Sequence, residues 1–150
     1  MTFGLLALIA SAIFAGAAFY VNFAEQPARL TLDDRALLSE WKPAYKRGAA
    51  MQAPLAVVGF LFGMLAWWQV SDSAFLVGAI MIIAPWPWTL IVIKPINDAL
   101  LAMELDKAGP PTRALVLKWG AVHAVRTVLG GLATAAFFWA CLSHCNLVAT

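Results

Sequence analysis

The sequence predicts an all-α fold, a bundle of four transmembrane helices, and three observations lead to that prediction. Of the 150 residues, 63% are apolar and only 12% are charged, whereas a soluble domain has about 25% charged residues. The mean hydropathy is +0.81. The apolar residues form about four runs, each close to the roughly 20 residues that a crossing helix needs. We therefore expect one membrane domain over residues 1–150, and neither a nucleic-acid-binding domain nor an ordinary soluble enzyme.

The first apolar run covers residues 3–23, and polar residues follow it. Met1 and Thr2 carry no basic side chain, and the run is longer than the about 7 to 15 apolar residues of a cleavable signal peptide. Only the tripeptide Ala15-Gly16-Ala17 is similar to a cleavage site. We therefore predict that the run is a retained helix.

The second and third runs, residues 49–70 and 74–93, are separated only by Ser71-Asp72-Ser73. So short a connection predicts an antiparallel helical hairpin. Pro85 and Pro87 fall inside the third run, where each removes a backbone donor and is expected to bend the helix. The carbonyls freed at such a bend are tolerated at membrane depth where the backbone faces protein or a cavity.

The fourth run covers residues 116–142. Gly109-Pro110-Pro111 is expected to stop any helix in the preceding loop, and Thr112 is a candidate cap for the helix that follows. Between the first two runs, residues 37–42 place apolar side chains on one helical side and polar ones roughly opposite. This pattern predicts a short amphipathic helix at the cytoplasmic interface.

The basic residues predict which way the helices face. Nine of the ten Lys and Arg lie in or beside two connections, residues 24–48 and 94–115. Positive charge marks the cytoplasmic side, so both connections are expected in the cytoplasm and both termini outside. The expected location is a bacterial inner membrane. The tenth basic residue, Arg126, lies inside the fourth run.

With this orientation, every run places its strongest polar residues in the cytoplasmic half of the bilayer, while the other half is mostly apolar or aromatic. Helical spacing also puts Trp119, His123 and Arg126 on one face of the fourth run. The converging side chains are Tyr20, Asn22, Glu25, Tyr45, Gln52, Thr89, Lys94, Asn97, Asp98, Trp119, His123 and Arg126. We predict a polar pocket that opens to the cytoplasm and is capped by the apolar half.

Arg126 is the deepest charge in the sequence. It lies roughly 12 Å along the helix axis beyond Lys118, which marks the interface. An Arg in the middle of a membrane helix costs about 2.5 to 3.5 kcal/mol, so we expect Arg126 to pair with a carboxylate, either Glu25 or Asp98. Three other basic side chains are expected to extend to the interface instead: Arg29, Lys94 and Lys118.

His123 and Arg126 together predict acid–base chemistry. An imidazole close to a guanidinium stays neutral and can act as a base, and the guanidinium can stabilise an oxyanion that forms on a substrate. Glu25 could orient either group. Flat walls for a hydrophobic aromatic ligand from the bilayer would come from Tyr20, Tyr45, Trp88 and Trp119. The alternatives are a packing role for His123 and interfacial anchoring for the tryptophans.

A metal site is not predicted. His123 and His144 lie toward opposite ends of the fourth run, so one subunit cannot bring both to a single ion. Cys141, His144 and Cys145 offer three candidate ligands within about one helical turn. Two small buried thiols and an interfacial histidine explain the same residues more simply.

The polar positions resemble a known family, the small four-span membrane proteins related to the anthrone oxygenases. The matching stretches occur in order along all four runs: Tyr20-Val21-Asn22-Phe23-Ala24-Glu25-Gln26-Pro27-Ala28-Arg29, then Trp41 with Tyr45-Lys46-Arg47-Gly48, then Trp88-Thr89 leading to Pro95-Ile96-Asn97, and Trp119 with His123 and Arg126. The resemblance implies oxidation of an anthrone-like polyketide to a quinone by molecular oxygen, with no metal or flavin cofactor.

In that chemistry His123 would be the base and Arg126 the enolate stabiliser, with Asn22, Gln52 and Asn97 as orienting groups. The competing hypothesis is a non-catalytic membrane protein that carries or binds a hydrophobic small molecule or a membrane lipid. Gly59-x-x-x-Gly63 in the second run offers a close-packing face, either within the bundle or between copies in a homo-oligomer.

Overall fold

The structure is a computed structural model that describes residues 1–146, with side chains as far as His144. Within this part of the chain, every regular element is helical. The long helical runs are α1 (Thr2–Arg29), α2 (Asp34–Val70), α3 (Ser73–Ala102) and α4 (Pro110–Asn146), joined by short connections and a 3₁₀ turn at Leu105–Lys107. All four are long and apolar enough to cross a membrane. The predicted all-α bundle of four transmembrane helices is therefore confirmed.

Two of the four runs contain a π-helical segment. In α1, a segment at Val21–Glu25 separates α-helical Thr2–Tyr20 from Gln26–Arg29. In α3, α-helical Ser73–Ile83 and Pro85–Trp88 are followed by a π-helical segment at Thr89–Ile93 and then by α-helical Lys94–Ala102. Such segments are rare and are found most often at functional sites.

The second helix is longer than the sequence predicts. Residues 37–42 are helical, but they form the first turns of the continuous helix α2 rather than a separate interfacial helix. Their apolar residues Leu37, Leu38 and Trp41 are fully buried, in a cluster with apolar residues of α3 and α4. Packing against neighbouring helices, rather than contact with a membrane surface, therefore explains the amphipathic pattern.

The connection between α2 and α3 is a tight turn, as predicted. Ser71 adopts the left-handed conformation, with a φ of 53°. The carboxylate of Asp72 accepts a hydrogen bond of 2.8 Å from the backbone N–H of Ala74 and caps α3. The two helices consequently leave the turn side by side and antiparallel.

The start of α4 differs from the prediction. The helix begins at Pro110, so the Gly109-Pro110-Pro111 sequence starts a helix instead of stopping one. Proline suits the first helical position because its fixed φ is helical and its missing N–H would have no partner there. Thr112 lies inside the helix, where its hydroxyl accepts a hydrogen bond of 3.1 Å from the N–H of Gly109.

The four helices pack in a ring. Helix α1 contacts α2 and α4, and α3 contacts the same two helices on the other side of the bundle. In the half near the termini, the core is aromatic and includes the buried rings of Phe14, Phe75 and Phe137. Gly59 and Gly63 are buried in this half against side chains of α3 and α4. The close-packing face of α2 therefore serves contacts within the bundle.

Gly78→Ala is expected to destabilise the bundle by about 1 to 3 kcal/mol because it overpacks the core. A Cβ at position 78 would lie 2.6 Å from ring carbons of Phe137. That ring is fully buried, and Gly63 also packs against it. Unfolding of the purified protein in mixed detergent micelles would measure the loss.

Gly131→Ala is the matched control because a Cβ there has no neighbour within 4 Å. This variant is expected to be as stable as the wild type or slightly more stable, since alanine favours a helix over glycine. Equal destabilisation by both changes would show that the contact with Phe137 is unimportant.

Candidate functional site

Five polar side chains, contributed by all four helices, form what we call the polar cluster: Asn22, Gln52, Thr89, His123 and Arg126. Asn22 and Thr89 belong to the two π-helical segments. Gln52 and His123 are almost completely buried, with 2% and 4% of their surface exposed. The predicted convergence of polar residues from every helix is therefore present in the structure.

Asn22 determines which nitrogen of His123 carries a proton. Its amide nitrogen donates a hydrogen bond of 2.8 Å to the carbonyl of Gly120, so its oxygen faces the imidazole. That oxygen lies 2.8 Å from Nδ1 of His123 and also accepts a 3.0 Å hydrogen bond from the hydroxyl of Thr127. Because an amide oxygen only accepts, Nδ1 must donate, and neutral His123 has its lone pair on Nε2. Nε2 has no hydrogen-bond partner among the described residues.

A tryptophan fixes the other side of the imidazole. The ring of Trp119 lies 4.8 Å from that of His123, and its Nε1 donates a 2.9 Å hydrogen bond to the amide oxygen of Asn97. Asn97 is also buried, with 1% of its surface exposed. Asn22 and Trp119 thus hold the imidazole in one orientation, and Asn97 holds Trp119.

Arg126 is bound by neutral groups. Its guanidinium donates hydrogen bonds of 2.9 Å to the side-chain oxygen of Gln52 and 3.2 Å to the hydroxyl of Thr89. Its central carbon lies 5.5 Å from the centre of the Phe14 ring. The buried Nε has no hydrogen-bond partner in the part of the chain that the structure describes.

The expected ion pair of Arg126 with Glu25 or Asp98 is therefore wrong. Glu25 pairs with Arg29, and Asp98 lies on the surface with Lys94, 2.6 Å from its Nζ. Within residues 1–144, no carboxylate lies within ion-pair distance of Arg126. A charge withdrawn from water is costly unless it is paired, and this mostly buried guanidinium is therefore a candidate site for an anion or for an oxygen that becomes negative.

Arg29 also differs from its prediction, because it is buried and does not extend to the interface. Only 3% of its surface is exposed. It pairs with Glu25 and, through a contact of 2.8 Å from its Nε, with Glu40 at the start of α2. Its guanidinium lies 5.7 Å from the centre of the Trp119 ring. Because α2 begins at Asp34, earlier than predicted, its first turns cover Arg29 and contribute Glu40.

Two cavities meet at Arg126. The polar cavity has a volume of about 30 Å³, and its lining includes Glu25, Arg29, Tyr45, Gln52, Asn97, Trp119, His123 and Arg126. The apolar cavity has a volume of about 120 Å³, and its lining includes Phe14, Ala49, Ala53, Ala56, Pro85, Trp86, Thr89, Leu90 and Arg126. An apolar cavity of roughly 150 Å³ holds benzene, so the second cavity has room for about one aromatic ring.

Most of the predicted site residues line these cavities, but Tyr20, Asn22 and Trp88 do not. Tyr20 is 61% exposed and lies outside both cavity linings. Tyr20 lies about 200° around the helix from Asn22, which faces inward. The prediction that its ring forms a wall of the substrate pocket is therefore wrong. Trp88 also lies outside both linings. Its Nε1 instead donates a 3.0 Å hydrogen bond to the carbonyl of Val122, and this bond joins α3 to α4.

Phe14 and Glu40 could not be recognised as site residues from the sequence, and Arg29 was expected at the interface. Phe14 is an ordinary apolar residue of the first run, and only its contact with Arg126 distinguishes it. Trp86, which lies between Pro85 and Pro87, was not predicted as a site residue either, although it lines the apolar cavity. The charged residue Arg29 offered a signal, because it occurs in the stretch that carries the family resemblance.

The histidine at the far end of α4 is remote from the polar cluster. Nδ1 of His144 lies 2.9 Å from the carbonyl of Ala140 and 3.5 Å from the carboxylate of Asp72. Cys141 is buried, and the side chain of Cys145 lies outside the described residues. Among the side chains that are described, no three His, Cys, Asp or Glu residues are grouped so as to hold a metal ion.

Comparison with known proteins gives one family and one curated relative. Residues 41–136 match the family model of anthrone oxygenase, a range that covers most of α2, all of α3 and most of α4. A protein of Claviceps purpurea (strain 20.1) described as anthrone oxygenase is 26% identical over 140 residues, which cover 83% of this chain and 79% of the relative. No solved structure matches the chain.

Proposed function

Because the chain belongs to the anthrone oxygenase family, we propose that it is a membrane-embedded oxygenase that oxidises an anthrone-like aromatic compound to a quinone. The observation that carries the proposal is the pairing of two groups in the polar cavity. One is Arg126, a half-buried cation without a carboxylate partner in the described part of the chain, and the other is His123, with an available lone pair on Nε2. Together they can remove a proton and stabilise the anion that results.

The first step of the proposed reaction is a proton transfer. Nε2 of His123 takes a proton from the methylene carbon that lies across the middle ring from the substrate carbonyl. The electron pair of the broken C–H bond moves into the ring system and places negative charge on the carbonyl oxygen. Arg126 stabilises this enolate, since charge develops where its guanidinium has no competing anion.

The second step uses molecular oxygen as the oxidant. The enolate gives two electrons to oxygen as a bond forms between the former methylene carbon and one oxygen atom. The imidazolium returns its proton to the resulting peroxide. The remaining carbon–hydrogen bond and the oxygen–oxygen bond of this hydroperoxide then break. The electron pair of the C–H bond forms the second carbonyl, and the outer oxygen leaves as hydroxide, which combines with the released proton. In sum, CH₂ and O₂ become C=O and H₂O. The substrate anion is itself the reductant. These two reaction steps therefore require neither a flavin nor a metal.

Other residues have supporting roles in this proposal. Gln52 and Thr89 hold Arg126, and Asn22 holds His123. Glu25 is not the partner of either catalytic group, because Arg29 binds it. We propose that Glu25 acts in the site only as a wall of the polar cavity.

Turnover of anthrone by the purified protein in lipid nanodiscs tests the proposed function. We expect one molecule of oxygen consumed for each molecule of anthraquinone formed, at a rate well above that of empty nanodiscs. Recovery of unchanged anthrone at the background rate would contradict the oxygenase proposal. A hydrophobic compound that copurifies with the protein, identified by mass spectrometry, together with no turnover, would instead support the carrier hypothesis, which the apolar cavity also suits.

The role of Asn22 can be tested with a pair of variants. Asn22→Leu removes the acceptor for Nδ1 of His123, so the proton can move to Nε2 and abolish the base. A wrong tautomer lowered kcat by about 10⁴-fold in the serine protease triad, and we expect a fall of roughly 10-fold or more in this site.

Asn22→Asp is the matched control because it keeps an oxygen acceptor facing Nδ1. This variant is expected to retain clearly more activity than Asn22→Leu. Equal activity of Asn22→Leu and the wild type, measured as initial oxygen uptake, would show that Asn22 does not determine the tautomer.

A further inference from the structure

The apolar cavity lies between α2 and α3 and opens toward the side of the bundle that faces lipid. Trp86 and Leu90 line this cavity and are 40% and 56% exposed on the outer surface. Both belong to the transmembrane part of the apolar run Ser73–Ala102. The inner end of the cavity is formed by Gln52 and Arg126. A hydrophobic molecule in the bilayer would thus meet the cavity directly and would find the guanidinium at its far end.

The cavity exists because of two local features of the sequence. Along most of its length, α2 presents alanine methyl groups to it, from Ala49, Ala53 and Ala56, which share one helical face. Tyr45 and Gln52 complete the lining from this helix. Opposite them, α3 is interrupted at Ala84 and resumes at Pro85. Small side chains on one helix and a break in the other leave the space unfilled.

The polar cavity cannot hold the rings of the proposed substrate. Its volume of about 30 Å³ suits about two water molecules. Next to it, the rings of Trp41 and Tyr45 are stacked at 5.0 Å, and Trp41 also packs edge-on against Trp119 at 5.6 Å. The opening of the polar pocket to the cytoplasm stays a prediction.

Trp86 stands at the mouth of the apolar cavity. Its Nε1 donates a hydrogen bond of 3.3 Å to the carbonyl of Ala53 across the gap between the helices. This distance is longer than the roughly 2.7–3.2 Å that is usual for an N–H···O bond, and the indole is partly exposed. A rotation of this one side chain, without movement of either helix, would widen the mouth.

From these contacts we infer that the apolar cavity is the ring-binding site and lateral entrance for a flat polycyclic aromatic substrate, and that Ala53 and Trp86 determine what can enter. The inference rests on the proposed function, and it specifies how the substrate reaches that site. The ring that carries the reacting groups lies beside Arg126 at the inner end of the apolar cavity, with its carbonyl oxygen at the guanidinium and its methylene edge turned toward His123 in the polar cavity. The remaining rings lie in the mouth that Trp86 covers.

Binding of anthraquinone, which cannot be turned over as a methylene substrate, tests the inference separately from activity. We propose equilibrium titrations in nanodiscs with the wild type, Ala53→Leu and Ala50→Leu. Ala53→Leu fills the cavity and is expected to weaken binding at least 10-fold. Ala50→Leu is the matched control, since Ala50 is exposed and outside the cavity, and it is expected to change the dissociation constant less than twofold.

Substitutions of Trp86 test the inference in a second way, through the dissociation rate of anthraquinone, and they add no volume to the core. Trp86→Ala removes the cover and is expected to speed dissociation of anthraquinone at least fivefold, whereas Trp86→Phe keeps a ring and should change it less. Wild-type affinity of folded Ala53→Leu, or an unchanged dissociation rate in Trp86→Ala, would overturn the inference. If binding follows the expected pattern but no form of the protein oxidises anthrone, the binding site stands and the proposed oxygenase function fails.

Discussion

Arg126→Gln is expected to lower kcat for anthrone oxidation by roughly 100- to 1,000-fold, the loss that follows removal of a group stabilising an oxyanion. The variant keeps a polar side chain beside Gln52 and Thr89, the two partners of the guanidinium. It removes the positive charge that we propose faces the enolate. Arg126→Lys keeps a charge but loses the planar, forked geometry, and its kcat is expected to lie between those of the wild type and Arg126→Gln.

The same substitution should leave the protein at least as stable as the wild type. Arg126 has no carboxylate partner among the described residues, and its Nε has no hydrogen-bond partner. Placing an Arg at this depth costs about 2.5 to 3.5 kcal/mol, and a neutral side chain avoids that cost. Loss of activity together with unchanged or higher resistance to unfolding would identify a functional charge. Loss of both would instead indicate a structural role for Arg126.

His123→Ala is expected to lower kcat by roughly 100- to 10,000-fold, the range for removal of a general base. The physical reason is that Nε2 of His123 is the one unprotonated imidazole nitrogen in the polar cavity. Substrate affinity should change little, because the rings bind in the apolar cavity, whose lining does not include His123. Oxygen uptake and anthraquinone titration would measure these two quantities separately.

The second histidine of the chain provides the control. His144 packs at 5.9 Å from the ring of Phe75, at the opposite end of α4 from the polar cluster. His144→Ala is expected to turn over anthrone at the wild-type rate. Full activity in His123→Ala would exclude His123 as the base, and equal losses in both variants would point to a general effect on the bundle.

The number and nature of the helices could be predicted from the sequence because the hydrophobic effect depends on long stretches of chain. Three features follow from local spacing in the sequence: the four apolar runs, the turn at Ser71-Asp72-Ser73, and the common helical face of Trp119, His123 and Arg126. The helix ends were less predictable. Pro43 and Pro54 lie inside α2 without ending it, and Pro110 begins α4, since tertiary packing can override local preferences.

The pairing of charges could not be predicted from depth alone. Glu25 and Asp98 were the carboxylates expected nearest to Arg126 in depth, but the order of charges along the helices does not say which cation each carboxylate meets. The structure pairs Glu25 with Arg29, its neighbour one turn away, and leaves Arg126 to neutral partners. The apolar cavity was equally hidden, because it depends on three alanines facing the break in α3.

The central claim is that His123 and Arg126 together convert the bound substrate into its enolate before oxygen takes part. Exchange of the methylene hydrogens of anthrone with D₂O under nitrogen tests this most directly, since it detects proton removal without oxidation. We expect the wild-type protein to accelerate the exchange well above the rate in empty nanodiscs, and we expect His123→Ala and Arg126→Gln not to accelerate it. Exchange at the background rate with the wild type, or full acceleration by both variants, would contradict it.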